Sequence, residues 1–173
     1  MMTLLLTGCG PARERQNFEQ LQQQLNAAEE ICCDAEITAA GENESVTFRV
    51  HLTRRGQETC AIVTDPETIR DILFRKTDGE ETLEFEDLIL TFSPSVEAAA
   101  PCAAGAVLME ALTGGYLSGW GRAGEYKTRE ILSPGGETVS VWLTKDDEPI
   151  YAEIRREERT ALTLRLENWK IKE

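Results

Sequence analysis

The chain is poor in histidine and in positive charge. His51 is the only histidine among 173 residues, and 18 Lys and Arg face 31 Asp and Glu, for a net charge of −13. Any triad or His-rich metal site would have to be built around His51 alone, and no Ser or Cys elbow stands near it in sequence. His51 also falls on the polar side of an alternating run, where a surface histidine belongs. The shortage of cations argues against nucleic acid, whose phosphates need a basic face. It argues equally against a body lying flat on anionic lipid. No stretch approaches the roughly 18 apolar residues of a membrane span.

Besides Cys9, the cysteines are Cys32, Cys33, Cys60 and Cys102. Their spacing matches no zinc ribbon, CxxC pair or haem attachment. They read as free, mostly buried thiols, with disulfides as the alternative outside the cell. Cys32 and Cys33 are neighbours, so on a strand they point to opposite faces and at most one is core. The acidic clusters Asp78–Glu81, Glu84–Asp87 and Asp146–Glu148 lie at turns and lack the spacing of a calcium loop. Nothing in the chain asks for a cofactor or a metal, and no pair of acids is singled out as a glycosidase pair.

What the chain does have is a cysteine close to its start. Leu6-Thr7-Gly8-Cys9 resembles a bacterial lipobox, in which small residues before the cysteine let the signal peptidase reach the bond and an apolar run sits in the bilayer. The resemblance implies that Cys9 carries a diacylglycerol and that the mature protein is extracytoplasmic, anchored to the cell membrane. Only Leu4, Leu5 and Leu6 are strongly apolar and no cation precedes Arg13, so the leader is expected to begin upstream of Met1. Residues 1–8 are then a signal-peptide remnant, 9–16 a lipidated polar tether, and 17–173 a single domain. An acidic body on such an anchor is expected to stand off the membrane.

Asn17 reads as a helix N-cap with Gln20 three residues on, followed by Phe18, Leu21, Leu25 and Ala28 at helical spacing. The pattern then turns to period two. Cys33, Ala35, Ile37 and Ala39 alternate with polar residues, and after a Gly41–Glu44 turn so do Val46, Phe48, Val50 and Leu52. A strand over 58–64 follows, then a short helical or irregular piece over Pro66–Phe74, then a hairpin of Thr82–Phe85 and Leu88–Phe92 around Glu86-Asp87. Ser93-Pro94-Ser95 opens a loop. Pro101 suits a first helical turn, Ala103–Thr113 is helical and apolar most of the way round, and Gly114-Gly115 stops it. Gly114–Gly124 reads as a mobile loop; it matches GxGxxG literally at Gly119–Gly124 but lacks the strand-before, helix-after context of a dinucleotide site. Strands over Tyr126–Leu132, Thr138–Thr144, Ile150–Arg155 and Thr160–Asn168 complete the chain. Val139, Val141 and Leu143 share a face, as do Ile150, Ala152 and Ile154, while Trp142 points the other way, for packing or for partner contact.

Antiparallel strands with one apolar face and two helices to cover it make an α+β fold: a curved antiparallel half-barrel with an N-terminal and a central helix on its concave face. This layout after a lipobox resembles the periplasmic lipoprotein-carrier superfamily of LolA-like and LppX-like proteins. The likeness is most specific in the closing run from Glu148 through Ile154, a charged turn, and Thr160 through Trp169, which ends on Asn168 and a large apolar residue. Asp65–Ile69 and the Leu83–Phe92 hairpin are also similar to small clostridial lipoproteins of the GerS-like germination type. The resemblance implies a non-enzymatic binding protein that holds a lipid or another apolar ligand. The concave face would be lined by Phe48, Val50, Leu52, Leu83 and Phe85 and capped by Leu108, Met109, Leu112 and Trp120. The alternative is an interaction module that binds or activates a cell-envelope or spore-cortex enzyme through a sheet edge or outer face. Gram-negative carriers are soluble whereas this chain reads as anchored, which favours a holding or partner role over ferrying. The expected partners are thus the membrane, through the N-terminal lipid, and either a lipid ligand or an envelope protein.

Overall fold

The computed structural model describes residues 10–40, 45–77, 80–92, 100–156 and 159–173. The lipobox run, the Gly41–Glu44 turn, Asp78-Gly79 and Ser93–Ser95 lie outside them. Helix α1 spans Gly10–Ala27. Strands β1 (Glu30–Ala40), β2 (Ser45–Arg55) and β3 (Glu58–Asp65) follow, then a 3-10 turn at Glu67–Ile69. Strands β4 (Leu73–Thr77), β5 (Glu80–Phe85) and β6 (Leu88–Phe92) precede helix α2 (Ala100–Gly114). The last five strands are β7 (Tyr116–Ala123), β8 (Tyr126–Leu132), β9 (Thr138–Leu143), β10 (Pro149–Arg156) and β11 (Arg159–Lys172).

All eleven strands form one open antiparallel sheet in the order β6-β5-β4-β3-β2-β1-β11-β10-β9-β8-β7. Strands β6 and β7 are consecutive in sequence yet sit at opposite edges, so the chain must cross the whole sheet between them. Helix α2 makes that crossing, which is why it is apolar all round: Ala104, Ala106, Leu108, Met109, Ala111 and Leu112 are fully buried. It touches strands from β4 to β8. Flat, those strands would spread over about 33 Å at the usual spacing, against about 22 Å of helix, so the sheet curls around it as a half-barrel.

The core is the concave face. Ile31, Cys33, Ala35 and Ile37 of β1 are buried with Phe48, Val50 and Leu52 of β2, and with Val139, Val141, Leu143, Ala152, Ile154, Leu162, Leu164 and Leu166 across the sheet. Of the neighbouring cysteines, Cys33 is the core residue and Cys32 is half-buried; all four cysteines in the described residues are free thiols. Burial pushes the Cys33 thiol up to about 12.

The structure departs from the sequence reading in four places. Helix α1 begins at Gly10, not at Asn17, and takes in the run read as a tether. Pro11 suits a first turn, and the early helix is held to the sheet: Glu14 Oε2 lies 2.7 Å from Arg129 Nη2, and Arg15 donates to the Tyr116 hydroxyl at 3.1 Å. Second, Leu73 and Phe74 open a strand where a helical or irregular piece was expected. Phe74 sits between Ala61 and Leu83 in register and is 1% exposed. Third, the supposed mobile loop is the edge strand β7, anchored by buried Leu117 opposite Ile131. Its glycines permit close packing: a Cβ at Gly115 would come within 2.5 Å of the Ala111 carbonyl oxygen. Fourth, a bulge between Pro149 and Tyr151 leaves Ile150 half-buried while Pro149 is buried, and Val46 is exposed at its strand end.

Candidate functional site

Two devices position the concave face. Gly105, midway along α2, lets the helix backbone descend onto Leu52, where any Cβ would lie 2.2 Å from Leu52 Cδ2. Near the β4–β5 side, Lys76 Nζ reaches from β4 to Glu81 at 3.1 Å and to Glu110 of α2 at 3.0 Å. Burial works to lower the Lys76 pKa, but hydrogen bonds from the ammonium to Glu110 and Glu81 outweigh it and hold the value above its ordinary range.

Between these two features the register builds one row of apolar side chains outward from the core. Leu52 stands opposite Ala61, Ala61 opposite Phe74, Phe74 opposite Leu83, and Leu83 opposite Leu90. Leu52, Ala61 and Phe74 are buried beneath α2, Leu83 is half-buried, and Leu90 is 41% exposed. The neighbouring row ends in the same way, with half-buried Phe85 opposite Leu88, which is 54% exposed. The helix covers the middle of the half-barrel, and among the described residues nothing packs over its β5–β6 end.

The nine residues expected to line a cavity therefore fall into three groups. Phe48, Val50, Leu52, Leu108, Met109 and Leu112 are packed together in the core. Leu83 and Phe85 lie at the uncovered end. Trp120 is elsewhere: it stands on β7 opposite Arg129, at the far edge of the sheet. Leu88 and Leu90 belong beside Leu83 and Phe85 and were missed. A hairpin with the two-residue turn Glu86-Asp87 pairs 85 with 88 and 83 with 90 automatically, so the spacing alone could have found them.

The convex face is polar. His51 Nδ1 donates to Asp34 Oδ1 at 2.8 Å and Asn168 Nδ2 donates to Asp34 Oδ2 at 2.7 Å. The His51 bond first, and the Asn168 bond second, hold the Asp34 carboxyl below its ordinary value. Asn168 takes a left-handed backbone (φ 55°) where β11 slips register against β1 between Cys32 and Asp34. A shallow groove nearby is lined by charged Asp34, Glu36, Arg49, Arg165 and Glu167. Trp142 packs edge-on against Tyr151, ring centroids 5.1 Å apart. Among the described residues no three acidic, His or Cys side chains converge as metal ligands, and no helix is long and apolar enough to cross a membrane.

No family model matches the chain, and no curated protein matches it by sequence. Solved structures do match over nearly the whole chain. A DUF1329 family protein from Desulfovibrio piger is similar with a TM-score of 0.58 at 10% identity, covering 93% of each chain. A LolA superfamily protein from Nitrosomonas europaea gives a TM-score of 0.51 at 11% identity, covering 92% of this chain and 94% of that one. A Vibrio parahaemolyticus domain, described as an outer membrane lipoprotein-sorting protein domain, gives 0.52 at 10% identity, covering 92% and 93%. With its open curved sheet and the helix crossing its concave face, the chain has the LolA-like fold.

Proposed function

We propose that the protein is a non-enzymatic, extracytoplasmic binding protein, lipid-anchored through Cys9, that holds a lipid or another apolar ligand at the open end of its half-barrel. The observation that carries this reading is the graded apolar row, buried at Leu52 and Phe74, half-buried at Leu83 and Phe85, and exposed at Leu88 and Leu90. An acyl chain laid along Leu83, Phe85, Leu88 and Leu90 would continue the core outward. Buried Phe74 is the wall it abuts, with Phe48, Val50, Leu52, Leu108, Met109 and Leu112 packed in the core behind it. No covalent chemistry is involved, and the polar rim of Lys76, Glu81 and Glu110 would meet a headgroup.

The test is native mass spectrometry and lipid extraction on the full-length chain, followed by titration with a fluorescent fatty acid. Leu88→Glu and Leu90→Glu change exposed positions and leave the core intact. Each is expected to weaken binding about ten-fold or more, the worth of one buried leucine. A folded wild-type protein that carries no lipid and ignores the probe overturns the reading.

That outcome would favour the second reading, an interaction module for a cell-envelope or spore-cortex enzyme. Strand β6 supports it: among the described residues the strand is a sheet edge with Leu88, Ile89 and Leu90 all exposed, so apolar side chains flank an edge backbone on both faces. A partner strand could add there.

A further inference from the structure

We propose that the corner formed by the start of α1 and the edge strand β7 is a membrane-docking surface for an anionic lipid bilayer, so that the anchored protein lies against the membrane at this corner. The inference rests on the reading of Cys9 as the lipid attachment and goes beyond it by fixing which face meets the bilayer.

Three observations converge. The first is the absence of a spacer. The described helix begins at Gly10, the residue after Cys9, and within its second turn it is pinned to the sheet by Glu14–Arg129 and Arg15–Tyr116. Farther along, Gln22 donates to the Gly115 carbonyl and Asn26 to that of Thr113. The helix thus runs antiparallel to β7, and its Glu14 reaches Arg129, which stands opposite Trp120 in register. A lipid on the preceding residue would hold this corner at the membrane.

The second observation is the local charge. Residues 10–16 and 116–132 carry five basic and three acidic side chains, in a chain whose net charge is −13. Glu14 and Arg129 neutralise each other, Glu130 pairs with Arg155 at 2.6 Å and Lys127 with Asp147 at 2.8 Å, which leaves Arg13, Arg15 and Arg122 against Glu125. Arg13 and Arg122 are exposed at the corner. The expectation that an acidic body stands off the membrane treated the charge as uniform, and it is not. Basic residues at the surface of an anionic leaflet are attractive one by one.

The third is the side-chain chemistry. Trp120 is 42% exposed and Tyr116 58% exposed, on a strand whose neighbouring positions Gly119 and Gly121 carry no side chain. Exposed amphipathic aromatics interleaved with arginine are the groups that settle at the headgroup level of a bilayer.

The full-length chain, produced in a host that processes lipoproteins, is reconstituted into vesicles of phosphatidylcholine and phosphatidylglycerol with dibrominated acyl chains. Intact mass first shows whether Cys9 carries a diacylglycerol. Brominated chains are then expected to quench tryptophan fluorescence in the wild type. The quenching should be lost in Trp120→Phe and persist in Trp142→Phe and Trp169→Phe, since Trp142 is on β9 and Trp169 on central strand β11. In the unanchored Cys9→Ala form, Arg13→Glu and Arg122→Glu should each lower partitioning onto these vesicles about five-fold. Lipidated protein whose Trp120 is not quenched overturns the docking surface and leaves the anchor standing. An unmodified Cys9 overturns the anchor, and the docking proposal falls with it.

Discussion

Replacing Gly105 with alanine sets two effects of opposite sign against each other. Gly105 lies inside α2, where intrinsic propensity favours alanine by about 1 kcal/mol. Against this, the new Cβ would lie 2.2 Å from Leu52 Cδ2, 3.0 Å from Cδ1 and 3.2 Å from Cγ. Ordinary carbon contacts are about 3.5–4.0 Å, so the whole leucine head must retreat, and not one methyl alone. Leu52 is fully buried, with Cys33 and Ala61 opposite it on the flanking strands. Overpacking of this kind costs about 1–3 kcal/mol, and a clash along three atoms belongs in the upper part of that range. The net expectation is a loss of about 1–2 kcal/mol, a fall in Tm of about 2–8 °C for a chain of this size. Denaturant unfolding of the full chain measures it. The double variant Gly105→Ala with Leu52→Ala should be less destabilised than the sum of the singles by about 0.5–3 kcal/mol, because the shortened side chain makes room. A Gly105→Ala protein more stable than wild type, or strict additivity in the double variant, refutes close contact between α2 and β2.

Asp34 gives a pH-dependent prediction. Its folded pKa is depressed, so its contribution is complete above the ordinary value of 3.8 and is lost as pH falls through the lower folded value. Asp34→Asn is therefore expected to be less stable than wild type at pH 7, with the gap in Tm closing as the pH is lowered past that range; a gap independent of pH refutes the assignment. The cysteines give another. At pH 8 iodoacetamide should modify Cys32 in the folded protein while Cys33, with its thiol at about 12 and 1% exposed, reacts only after unfolding. Peptide mass spectrometry separates the two positions, and early modification of Cys33 would place β1 in the wrong register.

Where the concave face is covered, the strands were legible from alternation alone. Cys33, Ala35 and Ile37, or Val139, Val141 and Leu143, repeat every second residue because each has a polar neighbour facing water. Alternation fails where another interaction replaces burial. In β4, Lys76 occupies an inward position and is neutralised there by Glu81 and Glu110, so Leu-Phe-Arg-Lys-Thr does not read as a half-buried strand. In β7 only Leu117 is buried, and glycines at 119 and 121 leave one face of the strand bare, which looks like a loop. The helix start was displaced for a related reason. Gly10–Gln16 has no apolar stripe, and its attachment is ionic, through Arg129, more than a hundred residues away.

The same distinction decides the fate of the candidate site. Apolarity alone grouped Trp120 with Leu83 and Phe85, but apolar character does not say which strands are neighbours. That information resides in the crossing of α2, which sends β6 and β7 to opposite edges of one sheet. Once they are separated, the two exposed apolar regions have different company. Leu88 and Leu90 continue a buried row and adjoin an internally compensated Lys–Glu cluster, which suits a ligand entering the half-barrel. Trp120 has an arginine two residues on, and opposite it stands Arg129, the partner of Glu14 on the helix that follows Cys9, which suits a bilayer. An anchor at the β7 corner would leave the β6 end at the far edge of the sheet, open to whatever the protein binds. Blocking one end should therefore spare the other. Trp120→Phe is expected to retain fatty-acid binding, and Leu90→Glu to retain quenching of Trp120 by brominated lipid. Loss of both properties in either variant would mean that the two surfaces are one.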